Sequence, residues 1–289
     1  MANNMRYFIG NWKMFGEPSS ISILKNINDF VKSDDKFSKL YEVVITPPHT
    51  LIESYSKIFL KEKIKIGAQN CYHKDNFGAN TGAVSAYMLK SVGAKYVIVG
   101  HSDNRSEGDS SPMLKSKVEN AFTNKLKIVF CIGENKEDKE NNKTFEFLEK
   151  QLREVLQNSY DSKEIIVAYE PIWSIGTGLI PQVDDLEKTV VYIKKVLQDI
   201  FQNKDCPAVL YGGSVDSKNV QQFSQIKEID GFLIGGASKS DQNFIDIIKN
   251  FIEKIKSLQG WKKLMALITT GSIITYVIEK LKSLTPDVV

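Results

Sequence analysis

The sequence predicts an α/β fold, a (β/α)8 barrel followed by an additional C-terminal helical tail, and three observations point there. Eight short runs rich in β-branched and aromatic residues alternate with longer stretches of helical period. Together they occupy residues 1–259 of a 289-residue chain, the size such a barrel needs. The first run ends in Asn11, Trp12 and Lys13, whereas a doubly wound open sheet, the rival architecture, often begins with a glycine-rich turn.

The predicted strands are residues 7–10, 43–46, 64–68, 96–99, 127–131, 165–168, 208–210 and 232–234. Between the sixth and later strands the helical period is clearest. Leu186, Val190, Ile193, Leu197 and Ile200 share one face, as do Phe244, Ile248, Phe251 and Ile255. Residues 134–144, rich in acids and lysine, read as a solvated loop. Gly260 is expected to close the last barrel helix. Residues 260–289 then form an extension with a net charge of +2, in which Leu264, Ile268, Gly271, Ile274, Ile278 and Leu281 lie on one helical face.

Composition narrows the partners. A net charge of +3 and the absence of a basic cluster interleaved with aromatics argue against nucleic acid. Cys71, Cys131 and Cys206 stand far apart, which fits reduced thiols in the cytoplasm rather than a disulfide framework. No signal-peptide core opens the chain, and no segment before residue 260 approaches a membrane span.

In a barrel of parallel strands, the loops at the strand C-terminal ends form one face, where active sites sit. Reading past those ends gives Asn11 and Lys13 from strand one, His101 from strand four and Glu170 from strand six. Strands seven and eight give Gly212-Gly213-Ser214 and Gly235-Gly236. The glycine pairs offer backbone N–H donors to a phosphate with no side chain in the way. A carboxylate, an imidazole, an amide and an ammonium suit proton transfer beside a carbonyl. Each residue alone has a plainer reading: a polar strand end, a loop histidine, a pre-proline strand end, an ordinary turn. Six such features in barrel order make coincidence a poor account. His49, His73 and His101 have no metal-ligand spacing, so no metal is expected. Cys131 reads as a small buried residue near the site.

Gly10-Asn11-Trp12-Lys13-Met14, Gly100-His101-Ser102, Ala168-Tyr169-Glu170-Pro171-Ile172-Trp173, Ile175-Gly176-Thr177-Gly178, Tyr211-Gly212-Gly213-Ser214-Val215 and Gly235-Gly236-Ala237-Ser238 resemble, in order, the motifs of the triosephosphate isomerase family. The resemblance implies a TIM barrel that interconverts dihydroxyacetone phosphate and D-glyceraldehyde 3-phosphate in glycolysis and gluconeogenesis, without cofactor. It implies Glu170 as the base, His101 as a neutral electrophile, and Lys13 with Asn11 beside the substrate. Gly176, Ser214, Gly235 and Gly236 would hold the phosphate. Pro171 to Gly178, with Trp173 and Thr177, would be a lid, and Ile175 and Leu233 an apolar cap over Glu170. A homodimer is implied too, with the loop from Gly78 to Gly82 reaching the partner and Thr81 approaching Asn11 of the partner subunit.

The chain departs from the family pattern at three places. Asp103 and Asn104 follow His101-Ser102 where glutamate and arginine are usual. Asp103 is a methylene shorter than glutamate, so its hydrogen bond to the Asn11/Lys13 cluster is expected to lengthen or pass through water. Ala83 stands where many relatives carry glutamate. Ser174 replaces the common alanine in the lid. Two other readings stay open at this point: a catalytically weakened barrel used for binding, and a different phosphate-binding barrel such as a sugar-phosphate epimerase. For the extension, a surface helix, a fused segment without function and a short membrane contact are all open.

Overall fold

The strands β1 (Arg6–Asn11), β2 (Tyr41–Thr46), β3 (Lys65–Ala68), β4 (Tyr96–Val99), β5 (Lys127–Ile132), β6 (Ile165–Tyr169), β7 (Ala208–Tyr211) and β8 (Gly231–Ile234) pair in parallel in chain order, and β8 closes on β1. The computed structural model describes residues 5–34, 38–74, 76–202 and 204–269. Every predicted strand is present, with ends moved by at most two residues. Ten α-helices accompany them among the described residues: α1 (Ile21–Ser33), α2 (His49–Ile58), α3 (Ala86–Ser91), α4 (Ser102–Ser106), α5 (Ser111–Thr123), α6 (Lys136–Glu140), α7 (Thr144–Val155), α8 (Val183–Ile200), α9 (Val220–Phe223) and α10 (Asp241–Thr269).

The strands were legible because a closed parallel barrel buries both their faces, and successive residues point to opposite sides. Ile9, Val44, Ile98, Val129, Ile166 and Leu210 point inward and fill the barrel interior. Their neighbours Phe8, Val43, Val97, Phe130, Val167 and Val209 point outward into the layer shared with the helices. The helices pack on that layer as their period predicts. Leu186, Val190, Ile193 and Leu197 of α8 are fully buried, as are Phe244, Ile248 and Phe251 of α10. At the strand N-terminal end, the Asp230 carboxylate accepts from Arg6 at 2.9 Å and faces Lys194 at 2.8 Å, pinning the β1–β8 seam.

Two expectations need correction. Residues 134–144 are not a solvated loop throughout. Glu134 has no solvent exposure, and α6 forms behind it, capped by the Asn135 side chain accepting from the Asp138 N–H at 2.8 Å. The charge run is solvated only beyond its first residue. The helix expected to end at Gly260 instead continues to Thr269 without a break. One glycine costs a helix interior about 1 kcal/mol, which does not stop a helix this long. Residues 270–289, the rest of the predicted tail, lie outside the described residues. Among the described residues, no helix is long and apolar enough to cross a membrane.

Candidate active site

The strand ends converge on one cavity of about 580 Å³, lined by Asn11, Lys13, His101, Glu170, Ile175, Gly176, Gly178, Ser214, Leu233, Gly235 and Gly236 among others. Asn11, Lys13 and His101 also line a neighbouring cavity of about 340 Å³, and Asp103 joins them there. Three predicted lid residues lie off the cavity wall. Pro171 is buried, Trp173 turns toward Glu134, and Thr177 ties the lid to itself by donating to the carbonyls of Trp173 and Ser174, each at 3.2 Å.

Asn11 and Lys13 are set by a turn in the backbone. Lys13 has φ +54°, a left-handed conformation unfavourable to a side chain. It is held there because the Lys13 N–H donates to Asn11 Oδ1 at 3.1 Å, while the Gln69 amide donates to the carbonyls of Lys13 (2.9 Å) and Thr46 (2.8 Å). The Lys13 ammonium, about one-third exposed, meets Asp103 Oδ2 directly at 3.1 Å. The expectation that the shorter carboxylate would lengthen this contact is therefore wrong, since α4 begins close enough for aspartate to reach.

His101 immediately precedes α4. Its Nδ1 accepts the Asp103 backbone N–H at 3.1 Å. A backbone N–H cannot surrender its proton, so Nδ1 must present a lone pair and the ring proton sits on Nε2. The Asp103 carboxylate, 3.5 Å from Nδ1, is too far to change that. Nε2 faces Glu170 Oε1 at 3.3 Å. Beneath, Arg105 donates to the carbonyls of Gly100 (2.7 Å) and Cys131 (2.8 Å), clamping the ends of β4 and β5 together.

Glu170 follows β6 and is almost wholly buried. Burial raises its pKa above the usual carboxylate value, and His101, Cys131 and Lys13 offset this only in part. The close fit needs glycine: a Cβ on Gly212 would lie 2.7 Å from Glu170 Cγ, and one on Gly133 would lie 1.8 Å from the Glu170 carbonyl. Gly235 and Gly236 are the opposite case. A Cβ at either would meet no atom within 4 Å, so these two residues border open space.

Sequence reading missed two supports. Gln69, just past β3, fixes the Lys13 turn. Glu134, just past β5, accepts through one oxygen from Tyr169 Oη (3.1 Å) and Trp173 Nε1 (2.9 Å), anchoring the first turn of the predicted lid. Both stand at the strand-end positions that gave the other residues, and that position was their signal. Cys131 is buried as expected, with its thiol pKa pushed well up by desolvation. Among the described residues, no group of three or more His, Cys, Asp or Glu is placed to hold a metal ion.

Comparison with known proteins agrees along the barrel's length. The triosephosphate isomerase family profile matches residues 6–251. A triosephosphate isomerase from Wolbachia pipientis wMel is 41% identical over 251 residues, covering 86% of this chain and 95% of that one. One from Neurospora crassa is 36% identical over 248 residues, covering 84% and 97%. The crystal structure of triosephosphate isomerase from Bartonella henselae superposes with a TM-score of 0.78 at 33% identity, covering 85% of this chain and 98% of that one. A closed barrel, a cavity built from its strand ends and relatives matched over nearly their whole length lead to one conclusion: the chain belongs to the triosephosphate isomerase family.

Proposed function

We propose that the cavity interconverts dihydroxyacetone phosphate and D-glyceraldehyde 3-phosphate, with Glu170 carrying the proton. The carboxylate removes a proton from the carbon beside the carbonyl, leaving an enediolate, and returns it to the neighbouring carbon. His101, with its proton on Nε2, donates to one substrate oxygen and recovers a proton from the other. A neutral imidazole paired with a carboxylate base is this family's established pattern. Lys13 and Asn11 offset the charge that grows on the oxygens, and Asp103 positions the Lys13 ammonium. The backbone at Gly176, Ser214, Gly235 and Gly236 receives the phosphate dianion, and Ile175 with Leu233 keeps water from Glu170.

The observation that carries this reading is the 3.3 Å approach of His101 Nε2 to Glu170 Oε1 inside a cavity whose far wall is bare glycine backbone. A coupled isomerase assay on the full chain and on Glu170→Asp tests it. Wild type is expected to turn over both triose phosphates. The shortened carboxylate, displaced by about 1 Å, is expected to lose on the order of 10²-fold in kcat. No wild-type turnover, or an undiminished variant, removes the assignment.

The active form is a homodimer in this reading. Support comes from Met14, which is 99% exposed at the mouth of the 340 Å³ cavity, and from Phe77, 70% exposed next to the loop from Gly78 to Gly82. Most of that loop is exposed, and the 340 Å³ cavity that Met14 and Asn104 help to line is the surface it would meet on a second copy.

A further inference from the structure

We propose that the Ser174 hydroxyl is a latch that holds the lid against the β7 loop and that phosphate binding releases it. The inference rests on the reading of Ser214 as a phosphate donor. Ser174 lies in the lid and has no solvent exposure. Its Oγ donates to the Leu179 carbonyl at 2.6 Å, tying the middle of the lid to the residue that follows it. That contact uses the hydroxyl's one proton, so in the 3.2 Å contact with Tyr211 the phenol is the donor. Burial raises the Tyr211 pKa to about 12, which keeps that proton in place. The Ser214 N–H reaches the same Oγ at 3.5 Å, and Ser214 Oγ donates to the Ser174 carbonyl at 2.7 Å.

Both donors of Ser214 are thus turned on Ser174. A phosphate beside Gly235 and Gly236 that recruits the Ser214 N–H takes it from the Ser174 hydroxyl. Arrival of the dianion therefore loosens one of the contacts that hold the lid in its described position. An alanine there would keep the carbonyl contact but none of the three Oγ contacts. In this chain the lid carries an added restraint, which each ligand must overcome before the lid moves onto it.

The test compares the full chain with Ser174→Ala in steady-state assays and in calorimetric titration with 2-phosphoglycolate, a phosphate-bearing carboxylate shaped like the enediolate. The variant is expected to lower KM and the inhibitor Kd together by about 3–10-fold, without raising kcat. Tyr211→Phe is expected to move both in the same direction by a smaller factor. The double variant should gain less than the product of the two, because they share a bond. If Ser174→Ala fails to fold, Tyr211→Phe carries the test alone. Constants within twofold of wild type, or weaker binding with a lowered Tm, assign the hydroxyl a purely structural role and overturn the latch. A wild type that neither turns over triose phosphates nor binds 2-phosphoglycolate instead removes the functional reading beneath it.

Discussion

Glu170 is a carboxylate kept where a carboxylate is costly. Its folded pKa is raised above the ordinary value of 4.5, mainly by desolvation. The native state therefore holds that proton more firmly than the unfolded chain does. The resulting stability is complete below the ordinary value and is lost as pH rises through the folded one. Near pH 7.5 the ionised group is a net burden on the fold. Glu170→Gln, which keeps the shape without the charge, is expected to melt at a higher temperature than wild type at about pH 7.5, with the gain vanishing near pH 4. Thermal melts at both pH values check this, and an equal or lower Tm at pH 7.5 contradicts it. The same shift places the acid limb of kcat/KM above the usual carboxylate range, because only the ionised base accepts a proton.

At the scale of elements, the proposed lid is tied to a residue outside it. Glu134 gives one oxygen to both Tyr169 and Trp173, and Lys139 on α6 sits 4.5 Å from the centre of the Trp173 ring. Glu134→Ala strands a buried phenol and an indole N–H together. Denaturant unfolding is expected to show a loss of about 1–3 kcal/mol, and Trp173 emission to change; a loss below about 0.5 kcal/mol would show that neither group depends on Glu134. The same residue shows where sequence reading stops. β-branched runs buried on two faces leave local signatures, so the strands could be read directly, and paired glycines such as Gly212-Gly213 and Gly235-Gly236 stand out in the sequence by themselves. Glu134 opens a run of acids and lysines whose other members are largely solvated, and apart from its place just past β5 nothing local sets it apart. The amide that pins the Lys13 backbone comes from Gln69, and only the closed barrel brings the two together. Nor does composition reveal that Ser174 spends its hydroxyl on three neighbours rather than on water.

At the scale of the molecule, the proposed homodimer would cover the exposed Met14 and Phe77. Light scattering on the full chain is expected to give twice the chain mass at assay concentrations. Dilution that produces monomers should lower specific activity in step, and a fully active monomer would contradict the homodimer.

The helix that follows β8 carries a further consequence. α10 begins just after the Gly236–Lys239 turn on the cavity side and packs against α1 and α9, so it runs down the outside of the barrel toward the opposite end. At 29 residues it is about 43 Å long, and the part beyond residue 251 has no counterpart in the family match. A protein fixed to a bead or surface through the C-terminal end of α10 would present its cavity outward, leaving entry unobstructed.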